Sequence, residues 1–307
     1  MRTMLKEVDG IDWFDGAVMN CKWKGPRLSD ILKAASMELD GAEKKGHEGW
    51  HVAFACHSTP CQEDSWYGGS IPLERAMRAD ADVILALEAC DSALDMIVDI
   101  ADINQMNDEP LAPKHGFPVR VVTPGIAGAR SVKWLDRITV QRQESPNYYQ
   151  QHDYKILPPE ATDAEEAKKY WHIVPAIQDM PVNSVVAIPG CGSTVTLDKD
   201  SMVEVKGYAL PSGSDGPIVR VEVSGDEGKT WTDAELLGSQ EQLYDISNKW
   251  AWTLWKAHVK VEAGKNRRIL SRATDKGGNK QEKERPEWNL RGVGYNGYGE
   301  ARELTVL

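Results

Sequence analysis

The chain has 307 residues, of which 41% are hydrophobic, and a formal net charge of −11. That length holds one large or two ordinary domains, and the apolar fraction excludes a disordered chain. The acidic balance excludes non-specific binding to nucleic acid or to a membrane surface, so a function that handles anions must concentrate its positive charge locally.

Along the chain, a Gly turn in KEVDGIDWFDGAVMNCKWKG leads into a strand ending near Trp23. Leu28, Ile31, Leu32 and Ala35 recur at helical spacing and predict a helix over 29–37, with Ser29 as N-cap or early-turn residue. Residues 49–56 read as a buried strand, 66–73 as a loop into a short helix at 73–77, and 82–88 as the next strand.

Residues 114–155 follow. Val119, Val121 and Val122 predict a strand bounded by Pro118 and Pro124, which turns through Pro124-Gly125 into a small-residue loop. His115, Arg120, Arg130 and Lys133 cluster around that turn, four donors suited to a multiply charged anion such as a phosphate. Residues 158–182 read as a linker, with Pro158-Pro159, a charged run and Pro175 and Pro181. From Asn183 onward, polar and β-branched residues alternate around Val203, Val205, Val219, Val221 and Val223. The turn clusters SGSDGP, SGDEGKT and AGKN separate the strands, which predicts a β-sandwich.

The five cysteines, Cys21, Cys56, Cys61, Cys90 and Cys191, are odd in number and irregular in spacing, as free thiols in a reducing, intracellular compartment are. Cys56-His57 with Cys61 lacks the second ligand pair of a zinc site. No apolar run reaches the roughly 18 residues of a membrane helix, and Met1 to Glu7 carries no secretory signal.

HGFPVR at 115–120, followed by PGxxGARxVKWL at 124–135, resembles the hallmark of the eukaryotic sulfite oxidase and assimilatory nitrate reductase family. RLxDIL, WYGGSIPL, VSxDxGxTW and WAWxLW, at 27–32, 66–73, 223–231 and 250–255, extend the likeness over the whole chain. The resemblance implies an α+β molybdopterin-binding domain of the sulfite oxidase fold, incomplete at its N-terminus, over residues 1–157. An all-β immunoglobulin-like sandwich over 183–307 would serve dimerisation. The implied cofactor is molybdopterin, held by His115, Arg120, Ser131, Val132 and Lys133. Tyr154 matches the active-site tyrosine beside the metal, and Trp13 a wall of the substrate pocket. Arg291, in WNLRG, matches the arginine that binds the substrate oxyanion, where nitrate reductases typically carry Met; with Asp-Tyr-Lys at 153–155 it favours sulfite over nitrate.

The implied reaction is molybdenum-dependent oxidation of sulfite to sulfate, with electrons passed to an external acceptor, a cytochrome or oxygen, since no haem domain is seen. In the family a Cys-x-Gly-Asn-Arg-Arg motif, whose thiolate ligates molybdenum, precedes this region. By register it would lie before Met1, so none of the five cysteines is a metal ligand and the chain would bind cofactor weakly. An inactive dimerisation module and a nitrate reductase fragment are the competing readings. Residues 89–105 break the family register between LALE and MNDEPL. They read either as an acidic amphipathic surface helix for a partner or as translated intron sequence.

Overall fold

The computed structural model describes residues 5–10, 18–35, 47–87, 105–106, 109–238, 248–282 and 287–307. Trp13 and residues 89–104 of the register break lie outside them. The chain divides into two compact units: residues 21–178, the first unit, and residues 1–20 together with 179–307, the second.

The first unit is mixed. β1 (Trp23–Lys24) pairs with β5 (Gln105–Met106), and α1 spans Leu28–Ala34. Its N-cap is Arg27, without a side-chain capping bond. Ser29 therefore falls in the first turn, where its hydroxyl reaches Asp30 at 3.4 Å. β2 (His51–Cys56) runs between β3 (Tyr67–Pro72) and β7 (Arg137–Gln141), antiparallel to both. Val52 and Phe54 point from β2 into the core, as a strand's period of two requires. α2 (Leu73–Met77) starts directly after Pro72 and buries Leu73 and Ala76, three apart on one face. β4 (Ile84–Leu87) pairs with β6 (Val119–Val122). α3 (Tyr148–Gln151) and α4 (Ala164–Ala167) are single turns whose N-caps, Asn147 and Asp163, accept backbone N–H groups. Leu28, Val52, Phe54, Ile71, Leu73, Val121 and Val132 form one buried core.

Residues 158–178, the greater part of the stretch that composition assigns to a linker, pack within this unit. Ala161 and Ala167 are buried, and Ile177 donates to the Tyr154 carbonyl at 2.8 Å. Polar, proline-rich composition describes this segment's surface, while its alanines fill the gaps beneath it.

The second unit is all β. One sheet has the order β13 (Glu235–Leu236), β14 (Thr253–Lys260), β10 (Met202–Leu210), β8 (Asn183–Ile188). The other runs β12 (Thr232–Asp233), β11 (Ile218–Ser224), β15 (Gly264–Asp275), β16 (Gly299–Val306), β9 (Thr194–Val195). β14 alternates cleanly: Thr253, Trp255, Ala257 and Val259 are buried, and the residues between them are not. Trp255 is fully buried opposite Gly207, where a Cβ would stand 2.4 Å from the indole; only glycine leaves that room. Val203, Val205, Val221, Val223, Ile269 and Leu304 complete the core. In the β11–β12 turn, Asp226 accepts from the amide and hydroxyl of Thr230, and Gly228 takes φ +78°. Described residues of the N-terminal segment pack here too: Asp9 N donates to the Leu290 carbonyl at 2.8 Å, and Asn20 exchanges bonds with the Trp252 backbone.

Candidate functional site

The loop from Gly125 to Lys133 organises the site, because it touches two clusters of cations in the first unit. The first lies between β6 and the turn before it. Gly116 takes φ +114°, and a Cβ there would stand 3.0 Å from both the Arg120 and the Lys133 side chains. A glycine at this turn is what lets the two cations flank His115. Arg120 donates from Nη1 to the His115 carbonyl at 3.0 Å and from Nη2 to the Ser131 carbonyl at 3.2 Å. Its Nε is buried without a partner, and its guanidinium lies 4.7 Å from the centre of the Trp23 ring. Ser131 fastens the loop to the strand through its hydroxyl, which accepts from Thr123 N at 3.0 Å. Val132 is fully buried, and its carbonyl accepts from Val121 N. Lys133 donates to the Lys114 carbonyl at 3.1 Å and lies 4.8 Å from the centre of the Trp134 ring.

Five of the residues expected from sequence, His115, Arg120, Ser131, Val132 and Lys133, are thus brought together. Their electrostatics have one sign. The His115 imidazole is held below its ordinary pKa by desolvation and then by Lys114, Arg120 and Lys133, with no opposing carboxylate among the causes. Burial lowers Arg120 as well. Arg120 and Lys133, close on Gly116 and with Lys114 beside them, concentrate positive charge at this turn of an acidic protein, as anion binding requires. The same donors fit a phosphate-bearing cofactor such as a pterin: the charge sign is right, Arg120 has an unused N–H, and Trp23 and Trp134 offer flat apolar faces.

The second cluster begins one residue upstream. Arg130, fully buried, lies with its guanidinium carbon 5.7 Å from the centre of the Tyr154 ring. Tyr67, whose hydroxyl donates to the Ala129 carbonyl at 2.9 Å, packs against Tyr149. Burial raises the Tyr67 phenol, and nearby Tyr154 pushes it further. Lys155 is buried and donates to the Trp171 carbonyl at 2.6 Å. Two features of this cluster escaped the reading of the sequence. Arg130 was grouped there with the anion donors of the turn and is instead buried under Tyr154. Lys155 enters the sequence reading only as the end of Asp153-Tyr154-Lys155, which with Arg291 favours sulfite over nitrate, and its burial has no sign in the sequence.

Arg291 belongs to the second unit. It donates to the Asp9 carbonyl at 2.6 Å, with the Asp9 carboxylate 3.6 Å away, and Gly292 follows at φ +67°. Cys56 is buried with its sulfur 3.1 Å from the Ser58 hydroxyl, and His57 pairs with Asp136 at 2.8 Å while stacking on Trp66. Among the described residues no cluster of three or more His, Cys, Asp or Glu is arranged to hold a metal ion, and no helix is long and apolar enough to cross a membrane.

Comparison with known proteins adds an independent line. Residues 1–97 and 103–149 match the oxidoreductase molybdopterin binding domain, a match that breaks inside the register break noted above. Residues 174–301 match the Mo-co oxidoreductase dimerisation domain. The chain is 40% identical over 298 residues to the mitochondrial sulfite oxidase of Homo sapiens, covering 95% of this chain and 48% of that one. It is 35% identical over 297 residues to the sulfite oxidase of Arabidopsis thaliana, covering 94% and 68%. It spans about half the length of most of the curated relatives it matches. A solved sulfane dehydrogenase from Paracoccus pantotrophus shares the fold, with TM-score 0.58 and 24% identity over 90% of this chain and 60% of that one. A molybdopterin-binding α+β unit followed by an immunoglobulin-like sandwich, matched along nearly its whole length, places this chain in the sulfite oxidase and nitrate reductase family of molybdopterin oxidoreductases.

Proposed function

We propose that the chain takes part in the oxidation of sulfite to sulfate, passing the electrons to an external acceptor, a cytochrome or oxygen. The observation that carries this reading is the un-neutralised cluster of His115, Arg120 and Lys133 around Gly116. In this reading His115, Arg120 and Lys133 grip the phosphate and polar edge of the pterin, while Ser131 and Val132 fix the loop that presents them. The bound molybdenum cofactor supplies the oxygen-transfer and two-electron chemistry. The chain's own residues supply position and charge: Tyr154 orients the substrate by hydrogen bond, and the roles expected of Arg291 at the sulfite oxygens and of Trp13 as a wall belong to the same reading. The sandwich, residues 183–307, joins two copies into a homodimer, and the free thiols of Cys21, Cys56, Cys61 and Cys191 suit an intracellular setting.

The test is made on the full chain expressed in a host that synthesises molybdopterin. Pterin and molybdenum content are measured first, then sulfite-dependent reduction of a dye acceptor. Arg120→Gln and Lys133→Gln are expected to lower pterin content about tenfold each, as loss of a charge-assisted contact does. Wild-type pterin content in both variants would remove the cofactor assignment. Nitrate-dependent turnover in place of sulfite-dependent turnover would move the chain to the nitrate branch. A monomer in light scattering would remove the dimer.

A further inference from the structure

The Tyr154 ring lies against the guanidinium of Arg130, and Lys155, the next residue in the chain, is buried where it feels the Arg130 charge. Arg130 is 0% exposed and Lys155 2%. Arg130 donates to two backbone carbonyls at long range, Tyr149 at 3.3 Å and Ile177 at 3.4 Å, and its Nε has no acceptor. Lys155 donates to a third carbonyl, that of Trp171. Among the described residues neither is within ion-pair distance of a carboxylate. Glu144 and, for Arg130, Asp153 act on them only through space, and the Glu144 carboxylate is already taken by the Gln150 amide at 2.8 Å. Burial holds both cations below their ordinary pKa values.

The surroundings are built to keep them there. Gly69 gives the Arg130 stem its room, since a Cβ would lie 3.2 Å from Cδ. The backbone around Tyr154 is clamped by the bond from Ile177 N and the bridge between Lys155 and Ala176. A buried ion without a counter-ion is costly, and apolar side chains of the same size would fill this space more cheaply. Two such ions that act on one another, one of them against the Tyr154 ring, imply that their missing counter-charge arrives from outside.

We propose that Arg130 and Lys155 are positioning residues that form a buried cationic floor beside Tyr154 and favour an oxyanion at its phenol. They do not touch the anion. Arg130 orients the ring through its face, and both charges lower the cost of bringing negative charge to the hydroxyl. The proposal rests on the reading of Tyr154 as a substrate-side residue and deepens it. It is independent of the pterin grip around Arg120.

The probe is inorganic sulfate, titrated into the full chain at constant ionic strength. The nine tyrosines are labelled at Cζ, and the Tyr154 resonance is identified by its loss in Tyr154→Phe. In the wild type the Tyr154 signal shifts saturably with sulfate and not with chloride. Arg130→Gln and Lys155→Met each weaken the sulfate dissociation constant about tenfold, the usual size for loss of one facing charge. Arg130→Lys, which keeps the charge and is the variant most certain to fold, stays within about threefold. A Tyr154 signal indifferent to sulfate in the wild type overturns the proposal. So does unchanged affinity in a folded Arg130→Gln or Lys155→Met, and so does a tenfold loss in Arg130→Lys. Pterin content, measured on the same samples, separates this result from the cofactor reading: a chain without pterin whose Tyr154 still senses sulfate ends that reading and leaves this one standing.

Discussion

Glu222 and Arg130 are both buried charges, and the chain treats them in opposite ways. Glu222, on β11 of the sandwich, is 5% exposed and meets Arg272 twice, at 2.8 and 2.9 Å, with Lys280 at 3.1 Å and Arg220 at 3.2 Å. Hydrogen bonds from Arg272 and Lys280 outweigh its burial and hold its pKa down at about 2. Arg130, in the first unit, has three carbonyl or aromatic neighbours and no carboxylate in contact. Glu222 is neutralised where it is buried, so its charge serves stability. Arg130 and Lys155 are buried without a carboxylate in contact among the described residues, which serves binding and not stability. A buried carboxylate with three basic partners is a structural device; a buried guanidinium held only by carbonyls awaits a ligand.

Four substitutions sharpen or break this contrast. Trp255→Ala sets the scale of the sandwich core. It empties the largest fully buried side chain among the described residues and is expected to cost about 3–5 kcal/mol in chemical denaturation. Next is Glu222→Gln, which strands Arg272 and Lys280. It is expected to cost roughly 2–3 kcal/mol, below the full penalty for a broken buried pair because Arg220 and Lys280 reach solvent.

The pH dependence follows from the same group. Its folded pKa lies below the unfolded value near 4.5, so its stabilisation is complete above that pH. It is lost as pH falls from about 4.5 towards about 2. Thermal midpoints measured down that range should fall more steeply in the wild type than in Glu222→Gln; parallel curves would contradict the pairing. Gly116→Ala places a side chain at φ +114°, 3.0 Å from Arg120 and Lys133. A loss of about 1–2 kcal/mol is expected, together with lower pterin content.

The smallest change in stability should come from Lys155→Met. Replacing an unpaired buried cation by an apolar side chain of similar length is expected to leave stability within about 1 kcal/mol, or to raise it, while the Tyr154 response to sulfate weakens. A loss as large as that of Glu222→Gln would mean that Lys155 is structural and the contrast false.

Much of this was legible in the sequence for identifiable reasons. The alternation at Val203 and Val205 marks the sandwich, because a sheet with one buried face imposes a period of two; on β11 the expected set Val219, Val221 and Val223 breaks, since the register shifts between Ile218 and Arg220 and Val219 is exposed. That His115, Arg120 and Lys133 are neighbours could be read from the sequence because the loops between them are short, so proximity in sequence becomes proximity in space. Helix ends are less visible: the described part of α1 begins at Leu28 with Arg27 as its cap, since Ser29 is drawn into the helix and buried. The packing of residues 158–178 against the first unit was hidden by polar composition, because the few alanines that carry the contact give no periodic signal.

The sequence by itself determined the two architectures, the strand-and-turn order of the sandwich and the identity of the cations around Gly116. These depend on local patterns and short loops, whose geometry the residue types dictate. Tertiary structure alone decided which charges are answered. Glu222 and Arg272 are fifty residues apart in the chain and meet only because β11 lies against β15. Arg130 and Lys155 lose water only because residues 149, 171 and 177 close over them with carbonyls and not carboxylates. Burial and counter-charge are properties of the assembled neighbourhood, and no single stretch of sequence carries them.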